Sequence, residues 1–508
     1  MSDHHISHKS ESRLRRLGHI EMYQSSMHNL RHYCGTVVTC RYVLPSSLTG
    51  PEMHKQVVRT FDHAVAQTVV QFPMLQVGLV GESSRKPAWV ALPSVDLAYH
   101  IEWQVLADSD NYQEKFQASL QYQLDTEFDH LETRPGWRLF MTRTETGGFV
   151  EVMFAWNHAN CDGMSGKIFH QTLLESLNYP NSSISSLPNS LAIPTVVSPG
   201  RFPPAQEKLV NYPITLGFAL SETWHTFGPS SFSSKAMAKA TWAPVHLHPF
   251  ETNTRSISID HNTLSRILGG CRKHETTLTG LLHGIVFVSL AAYLPKEMAS
   301  AFSSATAMDQ RRFMTKEMRD PKYTWLDPHK SLQNCVSSIF HTFDSYMVDD
   351  IRALARVNNW GLQPVRALEG CIWSTAKIVR EDIEKRLDLG LTNSVIGLMK
   401  LVRDWQEYHR SNEKKPRALS WMITNIGVIE SESESGATPS EKGDSWVIDD
   451  AKFTLSSDIS GPFLQISSVS VKGGNLTIHV SWQEHADSNH IGAQLAKDLE
   501  AWLRVLGA

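Results

Sequence analysis

The six cysteines of this 508-residue chain stand at 34, 40, 161, 271, 335 and 371, and no two have the C-x-x-C spacing. That argues against a zinc site and a disulfide scaffold, and fits a reducing compartment. No long basic run occurs, and the net charge of −4 gives no support for nucleic acid as a partner. A long apolar run is missing too. The most apolar segment, residues 278–294, is broken by His283, Gly280 and Gly284. It is too short and mixed for a transmembrane segment and reads as a buried helix. The N-terminus, with His4, His5, His8, Glu11 and Arg13, lacks the apolar core of a secretory signal and reads as a disordered leader. A cytoplasmic location follows, with surface association left open by an amphipathic helix expected at 12–33 (Leu14, Leu17, Met27 and Leu30 on its apolar side).

What is present suits a soluble α/β protein. With 41% hydrophobic and 20% charged residues, the chain is long enough for two full cores. Strand-like runs are expected at 36–44, 75–80, 88–92, 100–106, 137–143 and 149–156, and helices at 54–70 and 111–125. Residues 179–206 are rich in Pro, Ser and Asn and read as a linker, followed by a helix near 208–224 and an irregular stretch to 246. The second half repeats the mixture. Strands are expected at 254–259, 303–308, 418–429, 453–455, 463–471 and 476–482. Helices are expected at 262–274, 345–357, 363–386 and 393–409, with a last one carrying Ile491, Leu495, Leu499 and Trp502. Thr276 is expected to cap the apolar helix. Residues 430–445, acidic and Ser-rich, read as a mobile loop. The expected division is an N-terminal subdomain at 1–200, a crossover at 201–250 and a C-terminal subdomain at 251–508.

The informative stretch is His158-Ala159-Asn160-Cys161-Asp162-Gly163. It follows the alternating strand and precedes a helical pattern in Ile168, Phe169, Leu173 and Leu177. A histidine at a strand end is rigidly mounted, and Gly163, where the chain must bend, can take a positive φ that few other residues tolerate. Of the 24 histidines, only His158 has an aspartate four places on. The bland alternative is a buried histidine that closes a strand.

His158-x-x-x-Asp162-Gly163 resembles the active-site signature of the CoA-dependent acyltransferase superfamily, and the fungal alcohol O-acetyltransferases fit best. Further similar segments are Arg15-Arg16-Leu17-Gly18-His19-Ile20-Glu21, Phe72-Pro73-Met74-Leu75, Pro135-Gly136-Trp137-Arg138-Leu139, Thr277-Leu278-Thr279-Gly280 and Thr424-Asn425-Ile426-Gly427, in family order. The resemblance implies two chloramphenicol-acetyltransferase-like subdomains, each a mixed sheet with flanking helices, with an active-site tunnel between them. It implies acetyl-CoA as co-substrate with no permanently bound cofactor or metal, a small-molecule alcohol as acceptor, and a monomer.

An imidazole with an ordinary pKa of about 6.5 suits removal of a hydroxyl proton at neutral pH, the role the resemblance gives His158. Two roles stand open for Asp162. It orients the imidazole, or, as the resemblance favours, it holds the turn by pairing with Arg311 or Arg312. Ser420, Thr424 and Asn425 lie in the family's Ser/Thr-Asn-x-Gly strand. There Thr424 or Asn425 donates to the oxyanion or only satisfies backbone at a bulge. Cys161 suggests a thiol nucleophile, but a Cys and a His three apart on one turn seldom converge in that way. Asn157 stands where condensation domains carry a first histidine, and no plant-type Asp-Phe-Gly-Trp-Gly is present. The alternatives are N-acylation, condensation with a carrier-bound group, and a non-catalytic binding relative.

Overall fold

A computed structural model describes residues 13–180, 192–220, 237–318, 320–357, 366–432, 445–487 and 490–508. The expected leader, the loop at 433–444 and most of the irregular stretch before 237 lie outside the described residues. The chain divides into two compact units. One gathers Met1–Val210 with Met314–Cys335 and Val428–Lys452, the other Asn211–Phe313 with Val336–Gly427 and Phe453–Ala508.

The first unit is built on a mixed five-stranded sheet. Its inner strand, Phe149–Trp156, pairs antiparallel with Thr36–Val43 on one side and with Trp137–Thr144 on the other. Ile101–Leu106 adds a parallel edge. The inner strand is buried along nearly its whole length because helices cover both sheet faces. On one face Tyr42 reaches His170 of the helix Gly163–Asn178, Oη to Nδ1 at 2.9 Å. On the other Tyr112, first residue of the helix Tyr112–Asp125, donates to Glu151 at 2.6 Å. Glu151 is thus a buried carboxylate on a central strand, a costly placement unless it is paired. Arg41 and Lys452, from other strands of this sheet, each approach its Oε1 at 2.9 Å.

Residues 12–33 do not form one helix. Arg13–Arg16 is a strand paired with Ala88–Ala91, and the helix His19–Asn29 starts only after Gly18. The reason is Glu21. Its carboxylate takes both guanidinium nitrogens of Arg15 (2.6 and 2.7 Å) and the Gly18 amide (2.6 Å). This bidentate clamp holds the chain extended ahead of the helix. Within the expected linker, Ala192–Pro194 pairs with Ser94–Asp96 as a small sheet. The expected helix at 208–224 is interrupted. Gln206–Leu209 is a single turn, Pro213 follows with no N–H to continue it, and residues 216–220 are helical again.

The second unit carries a six-stranded sheet in the order Thr252–Ile259, Leu476–Gln483, Leu464–Val471, Trp421–Ile429, Phe302–Asp309, Val336–Phe343. Its central helix, Leu278–Tyr293, is mostly apolar and almost wholly buried, with His283 and Ser289 among its buried residues. Thr277, not Thr276, caps it, accepting from the Gly280 amide at 3.1 Å, while Thr276 donates to the Ala376 carbonyl at 2.7 Å. The expected helix at 393–409 is two, Val395–Met399 and Trp405–Asn412. Ser394 and Asp404 each cap a separate start.

A buried polar chain crosses this unit, and one donor sets its direction. The Trp421 indole N–H can only donate, and it meets His283 Nδ1 at 3.0 Å. His283 therefore carries its proton on Nε2 and donates to Thr306 Oγ1 (2.8 Å). Thr306 lies 2.9 Å from His341 Nε2, whose other nitrogen faces Asp382 at 3.3 Å. Burial holds the His283 pKa well below the ordinary imidazole value, in keeping with this neutral form.

The long helix packs tightly on Glu369–Asp388 through two glycines. A Cβ on Gly280 would sit 2.6 Å from the Ala376 carbonyl oxygen, and one on Gly284 would run into that of Ile372. Gly284→Ala sets two effects against each other: a helix-propensity gain of about 1 kcal/mol and overpacking against rigid backbone, about 1–3 kcal/mol or more. Net destabilisation is expected in urea or thermal unfolding. A stabilised variant would show that the helices have room to part.

Candidate functional site

The signature turn lies in the first unit, between the inner strand and the helix Gly163–Asn178. Its shape is set by short-range bonds. The Asn157 amide donates to the Gly136 carbonyl (2.9 Å), and the Asn157 side chain accepts from the Ala159 amide (2.9 Å). The Trp156 indole donates to the Cys161 carbonyl at 2.8 Å. Gly166 lets the helix press on the sheet, since a Cβ there would fall 2.7 Å from both Trp156 and Val38. The turn therefore has little freedom to move.

Asp162 is the N-cap of that helix, with the charge placed where the helix dipole favours it. Its Oδ1 accepts from the Ser165 amide at 2.9 Å and its Oδ2 from the Cys335 amide at 2.8 Å. The Ser165 hydroxyl lies 2.9 Å from both Asp162 Oδ1 and the Gln333 carbonyl, and accepts from the Gln333 amide at 3.1 Å. Asp162 and Ser165 thus tie residues 333–335 to the signature turn, across about a third of the sequence. Gly163 is the first residue of the helix and is not among the residues with positive φ, so the left-handed conformation open to it is not used. The extended Asp162 (φ −105°, ψ −179°) makes the corner instead.

His158 is half-buried beside Tyr33, ring centroids 5.7 Å apart, and the Tyr33 hydroxyl is held by Thr36 at 2.8 Å. Burial pushes its pKa below the ordinary imidazole value. Hydrogen bonds to the backbone of His158 and Cys161, and the charge of Asp162, pull the other way without winning. The imidazole is accordingly neutral at neutral pH, the state a proton acceptor needs. Asn334 reaches it from the tethered segment. Its Nδ2 donates to the His158 carbonyl at 2.7 Å and lies 3.4 Å from His158 Nδ1.

Sequence reasoning missed Asn334, Gln333, Ser165 and the Cys335 amide. Ser165 was readable, because Asp-x-x-Ser is a capping pattern at a helix start. Asn334 carries no local signal, being 176 positions from the residue it holds. Cys161 is buried, and its carbonyl takes the Trp156 indole.

The remaining site candidates lie in the second unit. Arg311 is buried and ion-paired to Asp309 at 3.1 Å, whereas Arg312 is exposed. The Ser420 and Thr424 hydroxyls are buried without a partner among the described residues. Asn425 is exposed and accepts from the Gly427 amide at 2.8 Å, within the strand Trp421–Ile429, where Gly427 has φ +77°. Among the described residues no group of three or more His, Cys, Asp or Glu could hold a metal ion.

Three comparisons with known proteins agree. The alcohol acetyltransferase family matches residues 102–327, a span that holds His158, Asp162, Gly163, Arg311 and Arg312. The chain is 27% identical over 453 residues to the probable alcohol acetyltransferase FCK4 of Fusarium pseudograminearum, covering 87% of this chain and 85% of that one. It is 23% identical to the probable alcohol acetyltransferase crmB of Aspergillus fumigatus, over 92% and 94%. The solved structure of the TRI3 trichothecene 15-O-acetyltransferase from Fusarium sporotrichioides superposes with a TM-score of 0.67 at 13% identity. That match covers 96% of this chain and 94% of that one. The expected mixed α/β class with two sheet-containing halves and the resemblance read from the sequence both hold.

Proposed function

Taking the alcohol acetyltransferase resemblance as premise, we propose that this chain is an acyl-CoA-dependent O-acyltransferase that acetylates a hydroxyl of a small-molecule alcohol or specialised metabolite. The observation that carries the reading is a half-buried imidazole, its pKa held low by burial, on a turn clamped at both ends. His158 takes the proton of the attacking hydroxyl as the new C–O bond forms at the thioester carbonyl carbon. When the C–S bond breaks, the leaving thiolate takes that proton and the imidazole returns to its neutral form. Thr424 is proposed as the oxyanion donor, supported by its buried, unpartnered hydroxyl. Asn425 is the weaker candidate, since its side-chain oxygen is engaged locally. Arg311 rather than Arg312 is proposed to support the site, because it is the buried one.

The relatives' names point to alcohols rather than amines as acceptors, which places N-acylation second. The test is incubation with acetyl-CoA and a pooled panel of alcohols and amines, with mass spectrometry of the products. Acetyl esters, with release of free CoA thiol, are expected. Acetyl amides alone would move the reading to N-acylation. No product, together with no binding of acetyl-CoA, would point to a non-catalytic relative.

A further inference from the structure

We propose that Asn334 is a positioning residue for the transfer. It holds the His158 carbonyl with its NH₂ group and so fixes the backbone from which the imidazole that takes the hydroxyl proton projects. This rests on the acyl-transfer reading above.

The orientation of the Asn334 amide is decided by its neighbour. The His158 carbonyl can only accept, so the group 2.7 Å from it must be the NH₂. Turning the amide over would set two oxygens against each other at that distance. The same nitrogen lies 3.4 Å from Nδ1, beside the edge of the ring, while its short bond is the one to the backbone. Asn334 is itself held from both sides, its chain neighbours Gln333 and Cys335 being bonded to Ser165 and Asp162. Asn334 is 3% exposed, and its Oδ1 has no partner among the described residues. A buried amide that leaves its own oxygen unsatisfied costs stability, so the place of this residue is not explained by packing alone. The placement explains it: a residue 176 positions away fixes the one histidine whose ring must be set to a fraction of an ångström.

The test uses the full-length chain and three readouts. Asn334→Ala lowers kcat about 10–100-fold, the range that follows from a misplacement on the order of 1 Å, while KM for acetyl-CoA stays within about two-fold. Asn334→Asp puts a carboxylate beside Nδ1, which raises an imidazole pKa by about 1–3 units. The acid limb of kcat/KM then moves to higher pH. Proton NMR titration of His158 reads the same shift with no turnover needed. Asn334→Ser, which keeps a short donor, is the further variant should the alanine form fail to fold, and its kcat is expected to fall below wild type by less than the range given for Asn334→Ala. An unmoved His158 titration in Asn334→Asp, or a wild-type kcat in folded Asn334→Ala, overturns the proposal. A wild-type enzyme silent on every acceptor overturns the acyl-transfer reading instead, and leaves the NMR result to decide the positioning.

Discussion

His158→Ala lowers the acetyl-transfer rate by about 10²–10⁴, the usual worth of general-base help, while unfolding midpoint and acetyl-CoA affinity stay close to wild type. The fold is expected to tolerate the change because what shapes the turn is not the ring. The Asn157, Trp156 and Asp162 bonds all remain in the variant. The pH dependence follows from the direction of the shift. The base form is neutral imidazole and its pKa lies below the ordinary value of 6.5. The kcat/KM acid limb therefore falls below about 6.5, and activity is flat from there through neutrality. Stopped assays with thiol detection across pH 4.5–8.5 (about four units on a logarithmic scale) measure both. Near-wild-type activity in the alanine variant would remove His158 from the chemistry. An acid limb well above 6.5 would mean that a different group titrates.

Asp162→Asn is expected to lose stability and activity together. Both carboxylate oxygens accept, Oδ1 from Ser165 and Oδ2 from the Cys335 amide. An amide offers one acceptor and one donor, so in either orientation an NH₂ meets a backbone N–H. Losing the cap and leaving a buried donor unsatisfied costs on the order of 2–4 kcal/mol. It also frees the segment that carries Asn334. Thermal unfolding with activity measured well below the transition separates the two roles left open for this residue. Full stability with activity gone would assign Asp162 to orienting the imidazole. Loss of both fits a clamp.

The periodic elements were legible because they depend on neighbours along the chain. The strand at 149–156 and the helix at 278–293 fall where alternation and apolar content place them. Misreadings gathered at ends and breaks. Leu14 and Leu17 suit a helix face as well as a strand, and only Glu21 gripping Arg15 decides between them. Adjacent threonines at 276 and 277 offer two equal caps, and contact with the Ala376 carbonyl removes one from the choice. Gly163 left a left-handed corner open, which extended Asp162 makes unnecessary.

By itself the order of residues determined the α/β class, the strand–turn–helix around His158 and the chemistry an imidazole there can perform, since these depend on side-chain type and short spacing. Tertiary structure alone decided that residues 314–335 belong with the first unit, and hence that Cys335 meets Asp162 and Asn334 meets His158. A backbone amide has no identity to read, and a lone asparagine looks like any other until folding brings it within 2.7 Å of the carbonyl it holds.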